Sequence, residues 1–404
     1  MIIRDGQRVC SAHLLYPWGV GLRDAGLRRS VADRLRHANW AGNWRHRNTP
    51  TDRAAAVLAS PLVDEGERGP RAGTIGVVIP THNDGANIGA LLQRLLEEPA
   101  VGEILVIASA CDDETVPTVL EIANQSAHTE AGKILLYVEA ERSGKVAAVN
   151  FAIGETRMPS IVIVSGDVLP EPGALAALVD ALRHPGVGMS GGRPVPVNTQ
   201  DTAIGHAVHL LWRLHHRLAL HQPKLGEMIA LRREALVTLP RTSVDEACFQ
   251  AILESEGWKS RYVPEAVVVN QGPGSIRDFV KQRRQVHTGH LWLRYRQGYT
   301  VPSLQPALLA YELWRDLKAD RTRMEPKRLA WTAGAVAMEA WARGRARADY
   351  LRGRENHVWE MVQSTKAPAT DTDGVHPGRG ELVASSGLSE AAADQRGRQH
   401  KLPL

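Results

Sequence analysis

Apolar strands and amphipathic helices alternate strictly between residues 74 and about 183 of this 404-residue chain. The runs "TIGVVIP", "EILVIAS", "KILLYVEA" and "SIVIVSGD" are short and apolar, as buried strands are. Helical segments such as "DGANIGALLQRLLEEP" and "GKVAAVNFAIGET" separate them. This alternation is typical of βαβ units, whose parallel strands are joined by right-handed crossovers. The sequence therefore predicts an α/β fold with a mainly parallel, Rossmann-like sheet flanked by helices.

The stretch "IVIVSGDVLP", residues 161–170, places an acid directly after one of the predicted strands. Its four consecutive apolar side chains leave no polar face, so this strand is expected to be central and covered on both sides. In open α/β sheets, ligands bind beyond the carboxyl ends of the strands. Asp167 is therefore a candidate site residue, although an aspartate that caps the next helix would give the same pattern.

The composition divides the chain into four parts. Residues 1–72 are rich in Arg, Trp and His and predict a basic extension with one or two helices. Residues 73–300 hold the alternating pattern and form the main domain. Residues 301–363 predict further helices. Residues 364–404 are polar and poor in aromatic side chains, which is typical of a disordered tail.

Charge and cysteine content limit the functional classes. A net charge of +5 without a dense basic block suggests contact with phosphates or an anionic surface and argues against dedicated nucleic-acid binding. Three widely spaced cysteines, Cys10, Cys111 and Cys248, argue against a disulfide framework or a zinc site and favour the cytoplasm. The N-terminus lacks a signal-peptide pattern, and the longest apolar run, residues 329–342, is too short to span a membrane.

Five motifs occur in the order and spacing of inverting GT-A glycosyltransferases of family 2. They are "VVIPTHNDGANIGALLQRLL", "ERSGKVAAVNFAIGE", "IVIVSGDVLPEPGALAALV", "SVDEACF" and "QRRQVHTGH". The chain resembles this family over about residues 74–295. The resemblance implies a GT-A fold and transfer of a hexosyl unit from a nucleotide-diphosphate sugar, expected to be UDP-linked, to an acceptor hydroxyl. The acceptor is left open as a glycan, a lipid-linked molecule or a small molecule.

The resemblance implies a set of donor-binding residues. The first strand ends in small polar groups that can contact a nucleotide, while Lys145 follows a glycine at a helix start, where anions are favoured. Arginine forks suit phosphate oxygens. An ordinary strand-to-helix turn and a solvated basic turn are the alternatives for the first two motifs. The donor-binding candidates are Pro80, Thr81, His82, Asn83, Asp113, Arg142, Lys145, Asp167, Gln282, Arg283 and Arg284.

The chain departs from the family at two positions that matter for the donor. Ala108 and Ser109 stand where relatives carry an acid that reads the base, so Asp113 is the candidate there and Asp112 is expected to cap the next helix. Relatives carry two acids after the fourth strand, but this chain has Ser165 and Asp167. One carboxylate with nucleotide phosphates can still hold Mg²⁺ or Mn²⁺, so Asp167 is the predicted metal ligand.

"SVDEACF" supplies the predicted catalytic pair, Asp245 and Glu246. Inverting transfer needs a carboxylate to accept the proton of the acceptor hydroxyl, and Asp245 is favoured over Glu246. Two acids that stabilise a helix N-terminus are the alternative. Met228 and Arg232, in a segment similar to the floor of the family's acceptor site, are the acceptor-binding candidates, with a packed loop as the alternative reading.

Two further features bear on the type of transfer. Gln285 and Val286 replace the Arg-Trp pair of polymerising relatives, so a single, non-processive transfer is expected. Trp331 and Trp341 flank an apolar run bordered by basic residues, which suggests peripheral membrane contact at the inner face, with packing on the main domain as the alternative. The Trp212, His215 and His216 cluster is interpreted as packing.

The departures at Ala108, Ser165 and Gln285 also motivate a second function, a catalytically degenerate scaffold that binds sugar nucleotides. A nucleotidyltransferase would share the sheet and the metal-binding acid. It would also need a loop rich in glycine and arginine after the first strand, and "PTHNDGAN" does not provide one.

Overall fold

The computed structural model describes residues 2–4, 7–9, 73–126, 133–354, 358 and 362–366. The predicted helices of the N-terminal extension and most of the predicted tail lie outside these residues. Within the described part of the chain, no helix is both long and apolar enough to cross a membrane.

One mixed sheet forms the centre of the molecule. Its order is β2-β1-β5-β4-β3-β6-β9-β8-β10-β7. The strands are β1 (Ile2–Arg4), β2 (Gln7–Val9), β3 (Ile75–Thr81), β4 (Val101–Ser109), β5 (Ile134–Glu139), β6 (Ser160–Val164), β7 (Val168–Pro170), β8 (Val187–Pro196), β9 (Met228–Arg232) and β10 (Lys259–Asn270).

The parallel part of the sheet consists of β5, β4, β3 and β6, as the alternating pattern predicts. All seven residues of β3 are buried, which explains its unbroken apolar sequence. Antiparallel β9 then separates β6 from β8, and β8 pairs in parallel with β10. Because β3, β4 and β6 run in the same direction, their carboxyl ends meet at one edge of the sheet. The predicted α/β fold is confirmed.

Nine α-helices are described. They are α1 (Gly85–Leu96), α2 (Thr115–Ser126), α3 (Lys145–Glu155), α4 (Ala174–Ala181), α5 (Ala203–His221), α6 (Asp245–Ser255), α7 (Ile276–Gln297), α8 (Pro306–Ala319) and α9 (Pro326–Leu351). Apolar side chains of α1, α2 and α4 pack on one face of the sheet, and those of α3 and α6 pack on the other. A third cluster joins α5, α7 and α9.

Both chain ends contribute more structure than the sequence predicts. The extension is expected to be helical, but β1 pairs antiparallel with β5 and with β2, and so covers the edge that β5 would otherwise expose. Gln363–Lys366 forms a 3-10 helix at the start of the predicted tail. The hydroxyl of Ser364 donates to Asp278 at 2.6 Å and fixes this helix against α7.

Candidate functional site

A cavity of about 640 Å³ opens at the carboxyl ends of β3, β4 and β6. Its volume is typical of small-molecule sites. The sheet edge and the loops around it supply polar lining residues, whereas α5, α8 and α9 supply mostly apolar ones. The polar and charged lining residues are Thr81, His82, Asp84, Ser109, Arg142, Lys145, Ser165, Asp167, His215, Lys224, Glu227, Thr242, Ser243, Asp245, Glu246, Gln282, Arg283, His290, Ser303, Glu339, Arg343, Thr365 and Lys366.

The end of β3 folds around the carboxylate of Asp84, which is 2% exposed. The Thr81 hydroxyl and the His82 backbone N–H donate to the same oxygen of Asp84, at 2.7 and 3.1 Å. His82 also bonds through Nδ1 to the carbonyl oxygen of Ser109 at the end of β4, at 2.7 Å. Asp84 precedes α1, but its side chain makes no hydrogen bond to that helix and points to the cavity instead.

Lys366 joins two carboxylates at this edge. Its Nζ lies 2.5 Å from Asp84 Oδ1 and 3.1 Å from Asp167 Oδ2. Burial and the charge of Asp167 raise the pKa of Asp84, and Lys366 partly offsets this effect. Burial alone would lower the pKa of Lys366, but the charges of Asp167 and Asp84 raise it above its usual range. A positive charge is therefore strongly favoured between the two acids.

Gly166 allows the loop after β6 to lie directly against β3. A Cβ atom at this position would lie 2.6 Å from Asp84 Oδ2 and 2.7 Å from Thr81 Oγ1. Any other residue would therefore clash with the two side chains that hold this corner. The close approach brings the carboxylates of Asp84 and Asp167, which come from different strand ends, into contact with one ammonium group.

A second lysine joins the predicted catalytic pair. Lys145, the first residue of α3, places its Nζ 3.0 Å from Asp245 Oδ2 and 2.7 Å from Glu246 Oε1 at the start of α6. Burial and the charge of Glu246 raise the pKa of Asp245 to about 7, although Lys145 counteracts them. Burial acts in the same direction on Glu246, but the charge of Lys145 outweighs it and lowers that pKa.

Two more titratable residues lie between these clusters, in the loop before β9. Burial and the charges of Asp167 and Glu246 raise the pKa of Glu227 to about 8. Burial and the charge of Arg283 lower the pKa of Lys224 to about 7. Glu227 has a φ of 61°, which is uncommon for a residue with a side chain. The loop holds this backbone conformation while the Glu227 side chain lines the cavity.

The structure brings most of the predicted donor residues to one cavity. Pro80, Thr81, His82, Arg142, Lys145, Asp167, Gln282 and Arg283 line it, together with the predicted catalytic residues Asp245 and Glu246. Arg142 makes no ion pair with any described residue. Lys145 is paired with both predicted catalytic acids, Asp245 and Glu246.

Asn83 and Asp113, two of the predicted donor-binding residues, do not line the cavity. Asp113 accepts hydrogen bonds from the backbone of Gly85, at 2.9 Å, and from the backbone and hydroxyl of Thr115, at 3.0 and 2.6 Å. These bonds fix the starts of α1 and α2 and lower the pKa of Asp113 against the effect of burial. Asp112, the expected helix cap, instead accepts a bond from the Asn83 side chain at 2.5 Å.

The two arginines of α7 that are predicted to bind the donor point in different directions. Arg283 faces the cavity and donates to Glu339 of α9 at 3.0 Å. Arg284 lies on the next face of the helix, where it pairs with buried Asp349. Arg284 therefore attaches α7 to α9 and does not line the cavity, so its predicted donor contact is not supported.

The predicted acceptor residues Met228 and Arg232 do not line the cavity either. Met228 is fully buried in β9, where it pairs with Val164 of β6. The guanidinium of Arg232 donates to the carbonyl oxygens of Val187, at 3.2 Å, and Leu182. Both residues hold β9 in the middle of the sheet, as the packed-loop alternative implies.

Four further residues, which are not among the predicted site residues, line the cavity: Asp84, Lys224, Glu227 and Lys366. Asp84 stands within the first motif, but its position before a helix is equally typical of a cap. Glu227 stands in the segment considered for the acceptor, next to Met228. No sequence signal indicates Lys366, because its contacts are with residues far away in the chain.

No group of three or more His, Cys, Asp or Glu side chains suited to a metal ion occurs within the described ranges. Trp212 and His215 line the cavity with their rings 5.3 Å apart, and His216 bonds to the Tyr262 hydroxyl at 2.8 Å. The cluster packs, as expected from its helical spacing.

Comparison with protein families identifies one match. Residues 76–238 match the model described as glycosyl transferase family 2. The resemblance to GT-A glycosyltransferases of family 2 is therefore confirmed over this segment, which ends shortly before Asp245 and Glu246. None of the curated proteins compared with the chain matches it.

Solved structures resemble the chain at low identity. A mannosyltransferase from Pyrobaculum calidifontis, solved in complex with GDP-Man and Mn²⁺, is 22% identical, with a TM-score of 0.50 over 76% of this chain and 95% of the other. Glucosyl-3-phosphoglycerate synthase from Mycobacterium tuberculosis, in complex with Mn²⁺, UDP and glucosyl-3-phosphoglycerate, is 20% identical, with a TM-score of 0.41 over 63% and 87%. The first similarity supports the GT-A fold.

Proposed function

We propose that this chain, whose residues 76–238 form a glycosyltransferase family 2 segment on a GT-A fold, moves one hexosyl unit from a nucleotide-diphosphate sugar to an acceptor hydroxyl with inversion. The observation that carries this proposal is the shared cavity. Asp245, whose raised pKa suits a base, faces the same space as Arg142 and Asp167. A proton acceptor and groups suited to a diphosphate therefore lie around one volume.

The donor diphosphate is assigned to the sheet edge. Arg142 offers a guanidinium without an ion pair in the described structure, and guanidinium groups bind phosphate oxygens bidentately. The end of β3 places His82 beside the same wall of the cavity. With Asp113 committed to two helix starts, recognition of the base does not involve that carboxylate.

A divalent ion, Mg²⁺ or Mn²⁺, fits the position between Asp167 and Asp84. The Lys366 ammonium already occupies it as a cation, and the two carboxylates offer the oxygen donors that such ions prefer. An ion held there by Asp167 would take the place of the ammonium group. When bound, it would neutralise charge on the leaving diphosphate. The Mn²⁺ in the similar mannosyltransferase is consistent with this assignment.

Asp245 acts as the base in this mechanism. Its carboxylate takes the proton of the acceptor hydroxyl while that oxygen forms a bond to the anomeric carbon. The bond from this carbon to the diphosphate oxygen breaks on the opposite face, and the diphosphate leaves with the electron pair. Lys145 and Glu246 position the carboxylate, and Lys145 keeps part of the Asp245 population ionised near neutral pH.

A screen of nucleotide sugars tests the proposal. Thermal unfolding of the full chain is measured with UDP- and GDP-linked hexoses, with and without Mn²⁺, and donor hydrolysis is followed in the same samples. We expect one nucleotide class to raise Tm more in the presence of Mn²⁺ and to be hydrolysed. Nucleotide binding without hydrolysis or transfer would favour the scaffold function instead.

Asp167→Asn tests the metal assignment separately. We expect it to remove the part of the activity that depends on Mn²⁺ while the protein remains folded, because the amide keeps the shape of the side chain but not its charge. Far-ultraviolet circular dichroism and Tm check folding. Asp180→Asn, at an exposed position of α4, is the matched control. Full retention of Mn²⁺-dependent activity in Asp167→Asn would refute the assignment.

A further inference from the structure

The part of the cavity that is lined by α5, α8 and α9 has mainly apolar walls. Three helices contribute to it with residues three or four positions apart, so each presents one face. From α5 these are Ala207, Leu210, Leu211, Leu214 and Leu218, from α8 Pro306, Leu309, Ala310 and Leu313, and from α9 Ala335, Val336 and Ala340. Among the lining residues of α5 and α8, only His215 is ionisable.

We propose that this apolar part binds the hydrocarbon chain of an amphiphilic acceptor, and this inference rests on the function proposed above. The apolar walls and the site around Asp245 belong to one continuous cavity. A molecule with its chain between α5, α8 and α9 can therefore place its polar end at Asp245. A purely polar acceptor would leave these walls in contact with water.

The charged groups are distributed as such a ligand requires. Arg283 and His287 of α7 and Arg343 of α9 gather around Glu339, which accepts hydrogen bonds from Arg283 and His287 at 3.0 and 2.7 Å. These charges therefore satisfy one another on one side of the cavity. Lys224 and Glu227 lie toward the sheet, where a polar end would be bound. The lining residues of α5 and α8 carry no charge that a hydrocarbon chain would desolvate, because burial keeps the pKa of His215 well below its usual value.

The chain can enter between α8 and α9. Ala310 of α8 and Val336 and Ala340 of α9 line the cavity but are also exposed to solvent. Tyr311 and Trp314, on the adjoining surface of α8, are about half-exposed. Amphipathic aromatic side chains of this kind commonly border apolar sites that meet water. The exposed apolar residues thus mark the opening of the cavity.

Binding of n-alkyl β-glucosides tests the inference. Hexyl, heptyl and octyl glucoside are titrated into the full chain by calorimetry, below the concentrations at which micelles form and without nucleotide. If the chain is buried, each added methylene should raise affinity by about fourfold. Affinity that does not change with chain length in the wild type would overturn the proposal.

Two substitutions on α8 provide a matched pair. Ala310 and Ala307 are both exposed and lie three residues apart, but only Ala310 lines the cavity. We expect Ala310→Trp to remove the dependence on chain length and Ala307→Trp to retain it. Equal loss or equal retention in both variants would contradict the assigned position. Nucleotide-sugar binding to the wild type tests the donor site independently, so failure of either proposal is recognised separately.

Discussion

Two lysines, each placed between two carboxylates, lie on different walls of the same cavity. Lys145 lies between Asp245 and Glu246, and Lys366 between Asp84 and Asp167. The first lysine begins an α-helix of 11 residues, whereas the second belongs to a 3-10 helix of four residues. The two lysines therefore have similar charged partners, but they belong to backbone elements of different length. Lys145 is suited to a fixed role beside the base, and Lys366 to a position that another cation can take.

Asp245→Asn breaks the first cluster and should have the largest effect. An amide cannot accept the acceptor proton, so transfer should fall by about 10²–10⁴-fold, the usual contribution of a general base. Initial transfer rates measure this loss, and nucleotide binding should be unchanged. Glu246→Gln is the control and should cost less. If Glu246→Gln is the more damaging change, the roles of the two acids are exchanged.

The pH dependence of transfer examines the same cluster in the wild type. The pKa of Asp245 is raised to about 7, and the base must be ionised, so the rate should increase as pH rises through 7. For one group with this pKa, the rate at pH 8 should be about tenfold that at pH 6. Lys145, Glu246, Glu227 and Lys224 also face this region, so rates are measured at saturating donor. A flat profile would argue against Asp245.

Lys366→Ala breaks the second cluster. In the wild type, Mn²⁺ must compete with the Lys366 ammonium group for Asp84 and Asp167. Without that group, the affinity of the protein for Mn²⁺ should rise by about tenfold, equivalent to about 1.4 kcal/mol. The fraction of free Mn²⁺, followed by electron paramagnetic resonance, measures this affinity. Lys318→Ala, on α8 beside Trp314, is a control away from the carboxylates. Weaker Mn²⁺ binding in Lys366→Ala would mean that the lysine supports the metal site.

Asp113 lies outside both lysine clusters, so Asp113→Asn should have the smallest effect on donor affinity. Its oxygens are occupied by Gly85 and Thr115, so donor affinity should stay within about twofold, while loss of these bonds lowers Tm by about 2 °C. Nucleotide titration and thermal unfolding give the two values. A tenfold loss of donor affinity would indicate that Asp113 takes part in donor binding.

The sequence predicts the sheet better than the site because strands and helices produce a regular spacing of apolar residues along the chain. The apolar run of β3 and the helical spacing of apolar residues in α1 can be recognised within short segments of the sequence. The direction of a side chain cannot always be read in this way. Arg283 and Arg284 are neighbours in one motif, yet only Arg283 faces the cavity. Met228 and Arg232 also stand close to Glu227 in the chain, but they belong to β9, whereas Glu227 lines the cavity.

Asp84 and Lys366 are site residues whose position could not be predicted from the sequence. An aspartate before a helix is usually a cap, and only the packing of Gly166 against β3 turns the Asp84 carboxylate toward another acid. Lys366 belongs to a polar segment with no periodicity. Its role depends on tertiary contacts, which cannot be predicted from the local sequence pattern.

The Lys366 contacts span 282 residues to Asp84 and 199 residues to Asp167. A shortened protein that ends before residue 366 would keep the whole family 2 segment but would leave two adjacent acids without their countercharge. Such a variant would repel an anionic nucleotide more strongly and depend more on added salt and divalent ions. Assays on trimmed protein would therefore measure a different binding site, even where the fold is intact.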